Sequence, residues 1–322
     1  MDVAVPFLIT ESLRRAVRET SHWRLVRRSL LFLATETSAW CLCRICAAAA
    51  LSLVACGPMS AGESQANRSR APLATDQRVQ REGERSETIE ATRRVVRSVV
   101  RAARDNASSG LGVRRQGDEL TDWYVRQAAQ TAATFGNNLG PRAFLTGIGI
   151  ALDDSDVLLK NPLTREFCQK IESTVERANR LEVLGNPTML GRRDSLQHFV
   201  VSAYLTAELG SLLADTAGLA KELMDAQRGS GFSFADVAAD QAGILFAGRV
   251  LSGKFALRQL AETFSVTQYV PSVTGLPEGL SADTFQRDYA GESSKRYGEL
   301  RQEIRSRVQS LPPYRSSGSD DP

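Results

Sequence analysis

The sequence predicts an all-α protein, an irregular helical bundle behind an N-terminal leader and a flexible tether. Three observations predict it. Apolar residues recur at helical spacing through most of the chain after residue 87. Alternation of β-branched and polar residues is scarce. A basic flank, a short apolar run and a cysteine precede the helical part. With 322 residues, 42% of them hydrophobic, the chain is long enough to bury a proper core as one or two domains. A net charge of +3 supplies no large field, so no nucleic-acid partner is expected.

Residues 1–56 read as a leader. Arg44 is followed by the apolar residues 45–55 and then Cys56. That run falls short of the ~20 residues a bilayer span needs and has the size of a signal-peptide core. Leu53-Val54-Ala55-Cys56 resembles a bacterial lipobox, which implies acylation (palmitate) of Cys56 as the mature N-terminus. Gly57, in place of an aspartate, implies sorting to the outer membrane, with the domain facing the periplasm. The stretch before Arg44 is longer than an ordinary basic region, which implies a start downstream of Met1 or an unusual leader. The expected partner is therefore a lipid bilayer, reached through the acylated cysteine. Four of the five cysteines precede residue 57, so Cys168 would stand alone as a buried core thiol. Residues 57–86 are rich in Ser, Gly, Arg, Glu and Gln, too polar to bury themselves, and read as a tether.

Residues 87–310 are expected to form one helical domain. Ile89, Val96, Val99, Val100 and Ala103 share a helix face, and Arg93, Arg94, Arg97, Arg101 and Arg104 point elsewhere. Such a helix can lie on anionic lipid; a solvated helix packed on the core is the preferred reading. Residues 106–117 read as a loop. Residues 118–135 form a second helix with Leu120, Trp123, Tyr124 and Ala128 on its apolar side. Gly147-Ile148-Gly149 is no dinucleotide fingerprint, because Leu152 stands where the third glycine belongs and no strand precedes it. Residues 153–156 lack the EF-hand glycine and distal glutamate and read as a surface turn. Residues 164–184 predict one amphipathic helix, residues 265–281 a surface loop, and residues 283–310 a charge-alternating outer helix. Residues 250–264 continue the preceding helix, and residues 311–322 read as a disordered tail.

The block from 193 to 248, within a core of about 190–250, carries the candidate site. Asp194 and Gln197 have capping-box spacing, and Ser233 with Asp236 repeats it. Lys221 and Asp225 are spaced for an ion pair, and Glu222 and Asp225 share a face. His198 lies on an apolar surface, where a lone histidine is most often a hydrogen-bonded core residue. Asp240 has no such local account. It sits mid-helix on a face with Asp236, Gly243 and Ala247, small enough for another backbone to approach closely. A carboxylate there loses water and needs a partner: His198, Lys221 or a cation. Three outcomes stay open, the first preferred. The cluster locks helices together; His198, Glu222, Asp225 and Asp240 hold a divalent metal; or Asp240 or Glu222 acts as a base with His198 as partner. Whether the chain is an enzyme is not decided by these residues.

Three stretches now carry a resemblance. Asp194-Ser-Leu-Gln-His-Phe, Lys221-Glu-Leu-Met-Asp and Gly229-Ser-Gly-Phe-Ser-Phe-Ala-Asp-Val-Ala-Ala-Asp-Gln-Ala-Gly243 resemble, in order and spacing, the YfiM-like family of small bacterial outer-membrane lipoproteins. The resemblance covers about a fifth of the chain. It implies an envelope location and the polar set Asp194, His198, Lys221, Glu222, Asp225, Asp236 and Asp240, and it supplies no reaction. The order of the His, Glu and Asp helices is also similar to VanZ-like membrane proteins, although Glu208 and Asp215 interrupt the longest apolar run.

Overall fold

The computed structural model describes residues 71–108, 114–136, 138–211, 214, 215, 218, 221, 231–289 and 295–315. The leader with Cys56, residues 57–70, Glu222, Asp225 and residues 316–322 lie outside them. The chain is all-α. Among the described residues there are α-helices, one short 3-10 turn, and isolated bridges in place of strands.

The helices are α1 (Ala71–Ala107), α2 (Gly117–Ala132), α3 (Leu139–Leu152), α4 (Val157–Lys160), α5 (Arg165–Ile171) and α6 (Thr174–Val183). They continue with α7 (Arg193–Leu209), α8 (Phe234–Leu251), α9 (Leu257–Thr263), α10 (Val266–Tyr269), α11 (Ala282–Tyr289) and α12 (Lys295–Gln309). The centre is α3. Every residue of it from Ala143 to Leu152 is buried, between α1 on one side and α7 on the other. A helix apolar all round belongs in such a place. The glycines of the rejected fingerprint have their reason here. A Cβ on Gly147 would run into Val95 of α1, and one on Gly149 would stand 2.6 Å from the Tyr204 Cβ of α7. A buried Thr92–Thr146 hydrogen bond of 2.9 Å ties α1 to α3. On the far side of α7 lies α8, and among the described residues these two helices make the most extensive packing.

Two cores result. The larger is built on α1, α2, α3, α7 and α8. The smaller gathers Phe232, Phe234, Phe285, Tyr289, Tyr297 and Ile304 between the start of α8 and helices α11 and α12. Phe232 and Phe285 stack there, with ring centres 4.2 Å apart.

Several boundaries differ from the sequence reading. Helix α1 reaches back to Ala71, so residues 71–86 are helical where composition placed a tether; a polar sequence does not prevent a helix continuous with a packed one. The single helix expected over 164–184 is two, because Ser173 and Glu176 form a capping box that starts α6 afresh. Helix α8 stops at Leu251, and α9 is a separate element. The 265–281 stretch is not all surface: α10 buries Val266 and Tyr269, and Val270 and Leu276 are buried beside it. The outer helix of 283–310 is α11 and α12, and their aromatics build the second core. Tyr314, expected in the tail, is buried in a 3-10 turn against Phe255. Asp153, read as part of a surface turn, is buried and accepts hydrogen bonds from the Ser155 amide and hydroxyl (2.9 and 2.6 Å) and Gln197 (3.3 Å). Burial raises its pKa against those hydrogen bonds.

Candidate functional site

Helices α7 and α8 position the site. Gly210, at φ 90°, ends α7 in a conformation a side chain would resist. Helix α8 is capped by Ser233, whose hydroxyl accepts from the Asp236 amide at 3.1 Å. Gly243 then allows the close approach of the two helices, since a Cβ there would strike the Phe199 carbonyl. This contact brings the polar face of α8 against His198, Phe199 and Ser202.

Asp240, its side chain only 8% exposed, is answered across that interface. Its Oδ1 accepts from the Ser202 hydroxyl at 2.6 Å and faces His198 Nδ1 at 3.2 Å. The other imidazole nitrogen, Nε2, lies 3.4 Å from Asp236 Oδ2 and 3.3 Å from Lys221 Nζ. Asp240 Oδ2 is turned towards Gly218; a Cβ on that glycine would stand 2.6 Å from it. The imidazole thus sits between two carboxylates on successive turns of α8, with an ammonium at its outer edge.

The charges follow from this geometry. Burial pulls the His198 pKa down, but the Asp240 charge and hydrogen bond, then the Asp236 charge, outweigh it; Lys221 opposes them. The net result is a pKa raised to about 9, an imidazolium at neutral pH. Burial raises the Asp236 carboxyl, with Asp194 and Asp240 adding to it and His198 and Lys221 pulling back. Lys221 can donate to Nε2 only while the ring is neutral. Once both nitrogens carry protons, Asp236 Oδ2 is an acceptor that Nε2 faces.

Outside this centre, Arg192 forms a bridge. Its guanidinium holds Asp194 (Nη2–Oδ2 2.8 Å) and both Glu278 oxygens (2.8 and 2.7 Å), and it lies 3.8 Å from the buried Asp236 Oδ1. Arg192 and the Ser195 amide hold Asp194 below its usual pKa. Asp194 is therefore no N-cap: α7 begins at Arg193, and the carboxylate instead sits in the first turn, near the positive end of the helix.

Of the residues singled out from sequence, the structure brings together His198, Lys221, Asp236 and Asp240, with Asp194 linked through Arg192. Glu222 and Asp225 fall outside the described residues. Sequence reasoning missed Ser202, Arg192, Glu278 and Gly218. Ser202 had a signal, one helical turn after His198 on the same face. The Arg192–Glu278 contact joins residues 86 apart and had none. Among the described residues, no group of three His, Cys, Asp or Glu side chains is arranged to hold a metal ion. No described helix is long and apolar enough to cross a membrane; Glu208 and Asp215 are paired with Arg142 (3.1 Å) and Arg301 (2.8 Å). Comparison with known families, with characterised proteins and with solved structures finds no match to this chain.

Proposed function

We propose that the protein is a cell-envelope lipoprotein of the YfiM-like kind, anchored through Cys56 and facing the periplasm. It acts as a structural or binding protein whose His–Asp cluster locks its helices together. One observation carries the second half of this reading: both nitrogens of the buried His198 ring face carboxylates, Asp240 at 3.2 Å and Asp236 at 3.4 Å. An imidazolium held this way has no lone pair for a metal and none to accept a substrate proton. Its chemistry is that of a clamp, joining two turns of α8 to α7. The lipobox supports the location. Labelling with radioactive palmitate tests it: incorporation that Cys56→Ser abolishes is expected, and incorporation unchanged in the variant removes the anchor.

A second reading, acid–base chemistry on an envelope component, is favoured by Lys221 Nζ, 3.3 Å from His198 Nε2. In a neutral ring that contact could pass a proton outward. Asp240→Asn separates the two. The clamp loses fold stability, whereas a catalytic pair loses a phenotype while the fold stands.

A further inference from the structure

We infer that the surface formed by the arginine-bearing part of α1 with α4, α5 and α6 rests on an anionic phospholipid bilayer. The inference deepens the envelope reading above and rests on it for location. Arg97, Arg101 and Arg104 are exposed along one side of α1, at helical spacings of four and three, and make no ion pair among the described residues. Of the acids near them, Glu90 is engaged by Arg93 (3.5 Å), Glu166 by Arg85 and Lys170 (3.1 and 2.6 Å), and Asp156 by Lys160 and Arg177 (3.2 and 3.3 Å), while Asp105 is exposed beside Arg101 and Arg104 on α1 itself. Glu176 is spent on capping α6, with Arg97 and Arg93 close enough to lower its pKa further. Residues 90–105 of α1 thus carry five arginines against Glu90 and Asp105, a net positive stretch.

A second, independent feature lies beside them. Of the four large apolar side chains exposed among the described residues, three, Val157 (37%), Leu163 (38%) and Val175 (69%), belong to the short segment that holds α4, α5 and α6; the fourth, Leu251, ends α8. Arg177 donates to the Ser155 carbonyl at 2.6 Å, which holds the first turn of α6 against the start of α4. Helix α1 packs on both α5 and α6. Positive and apolar groups are therefore exposed on helices that pack side by side.

A polyanion such as nucleic acid would pair with the arginines and leave Val175 in water. A bilayer surface accommodates both: valine and leucine enter the boundary of headgroups and acyl chains, and the guanidiniums meet the phosphates. Arg85 of α1 also joins Glu166 of α5, which ties the helix to this segment.

The test places an environment-sensitive fluorophore on Val175→Cys in a full chain whose Cys41, Cys43, Cys46 and Cys56 are serine. Acylation is thereby removed, and failure of the anchor is read separately by palmitate incorporation. Vesicles of phosphatidylcholine and phosphatidylglycerol in equal parts are expected to shift the emission to the blue. Phosphatidylcholine alone is not, and high salt should reverse the shift. Replacing Arg97, Arg101 and Arg104 by Gln together should weaken the half-saturating lipid concentration about tenfold or more. A label on Leu251→Cys, exposed at the end of α8, should not respond. No shift at 175, an equal shift at 251, persistence in the triple Gln variant, or an equal shift with a single-stranded oligonucleotide each overturns the inference.

Discussion

Replacing Asp240 by Asn keeps the shape of the side chain and removes its charge. In the structure that carboxylate is 8% exposed, accepts from Ser202 at 2.6 Å and holds His198 at 3.2 Å. The amide leaves an imidazolium buried with one carboxylate instead of two, and it offers Ser202 a weaker acceptor. Breaking a buried ion pair by removing one partner costs about 3–5 kcal/mol. For a domain of this size that corresponds to a fall in Tm of roughly 10 °C. Urea titration followed by circular dichroism in the helical band measures the loss directly. The variant should unfold at lower urea with an unchanged slope. A double-mutant cycle with His198→Gln should show that the two losses do not add, since each variant breaks the same contact. Asp240→Asn with stability within about 0.5 kcal/mol of the parent, as for an ordinary surface change, would refute the clamp.

Two further outcomes follow from the same geometry. His198 is raised above its ordinary value of 6.5, so its contribution to stability is complete below that pH and is lost as pH rises through about 9. Thermal unfolding across that window should show a decline of up to about 3 kcal/mol, absent in His198→Gln; the Cys168 thiol, pushed up by burial to about 11, starts to contribute only above its ordinary 9.0. Gly243→Ala should separate α7 from α8, because the added methyl meets backbone that cannot yield, and should lower stability by about 1–3 kcal/mol with partial loss of the His198–Asp240 contact, read by urea titration and by the His198 proton resonances.

The fold class and the faces of the long helices were legible because apolar residues at helical spacing report burial directly, as at Val96, Val99 and Ala103 of α1 and Leu120, Tyr124 and Ala128 of α2. The break between α5 and α6 was written in Ser173 and Glu176, but the apolar period runs on across it, and period outweighed cap. The second core was hidden by charge: Phe285, Tyr289 and Tyr297 are spaced among so many exposed Arg, Glu and Asp that the segment reads as an outer helix. At the site, Asp240 announced itself by sitting mid-helix among small residues. Its partner could be narrowed to His198, Lys221 or a cation because few ionisable side chains lay near it in the block. Arg192 and Glu278 meet only after the chain has folded, as do Arg301 and Asp215, 86 residues apart. Spacing along a chain carries no trace of such contacts. Ser202 was overlooked for a simpler reason, since a serine within an apolar helix draws notice only once a carboxylate is known to face it.

The central claim is that a positively charged imidazole is held between Asp236 and Asp240. Titration of His198 by proton–nitrogen NMR, with His198→Gln to assign the resonance and to set aside His22, tests it most directly. The account predicts a midpoint near 9, with both ring nitrogens protonated at neutral pH. A midpoint at or below the ordinary histidine value, with a neutral ring accepting from Lys221, would contradict it.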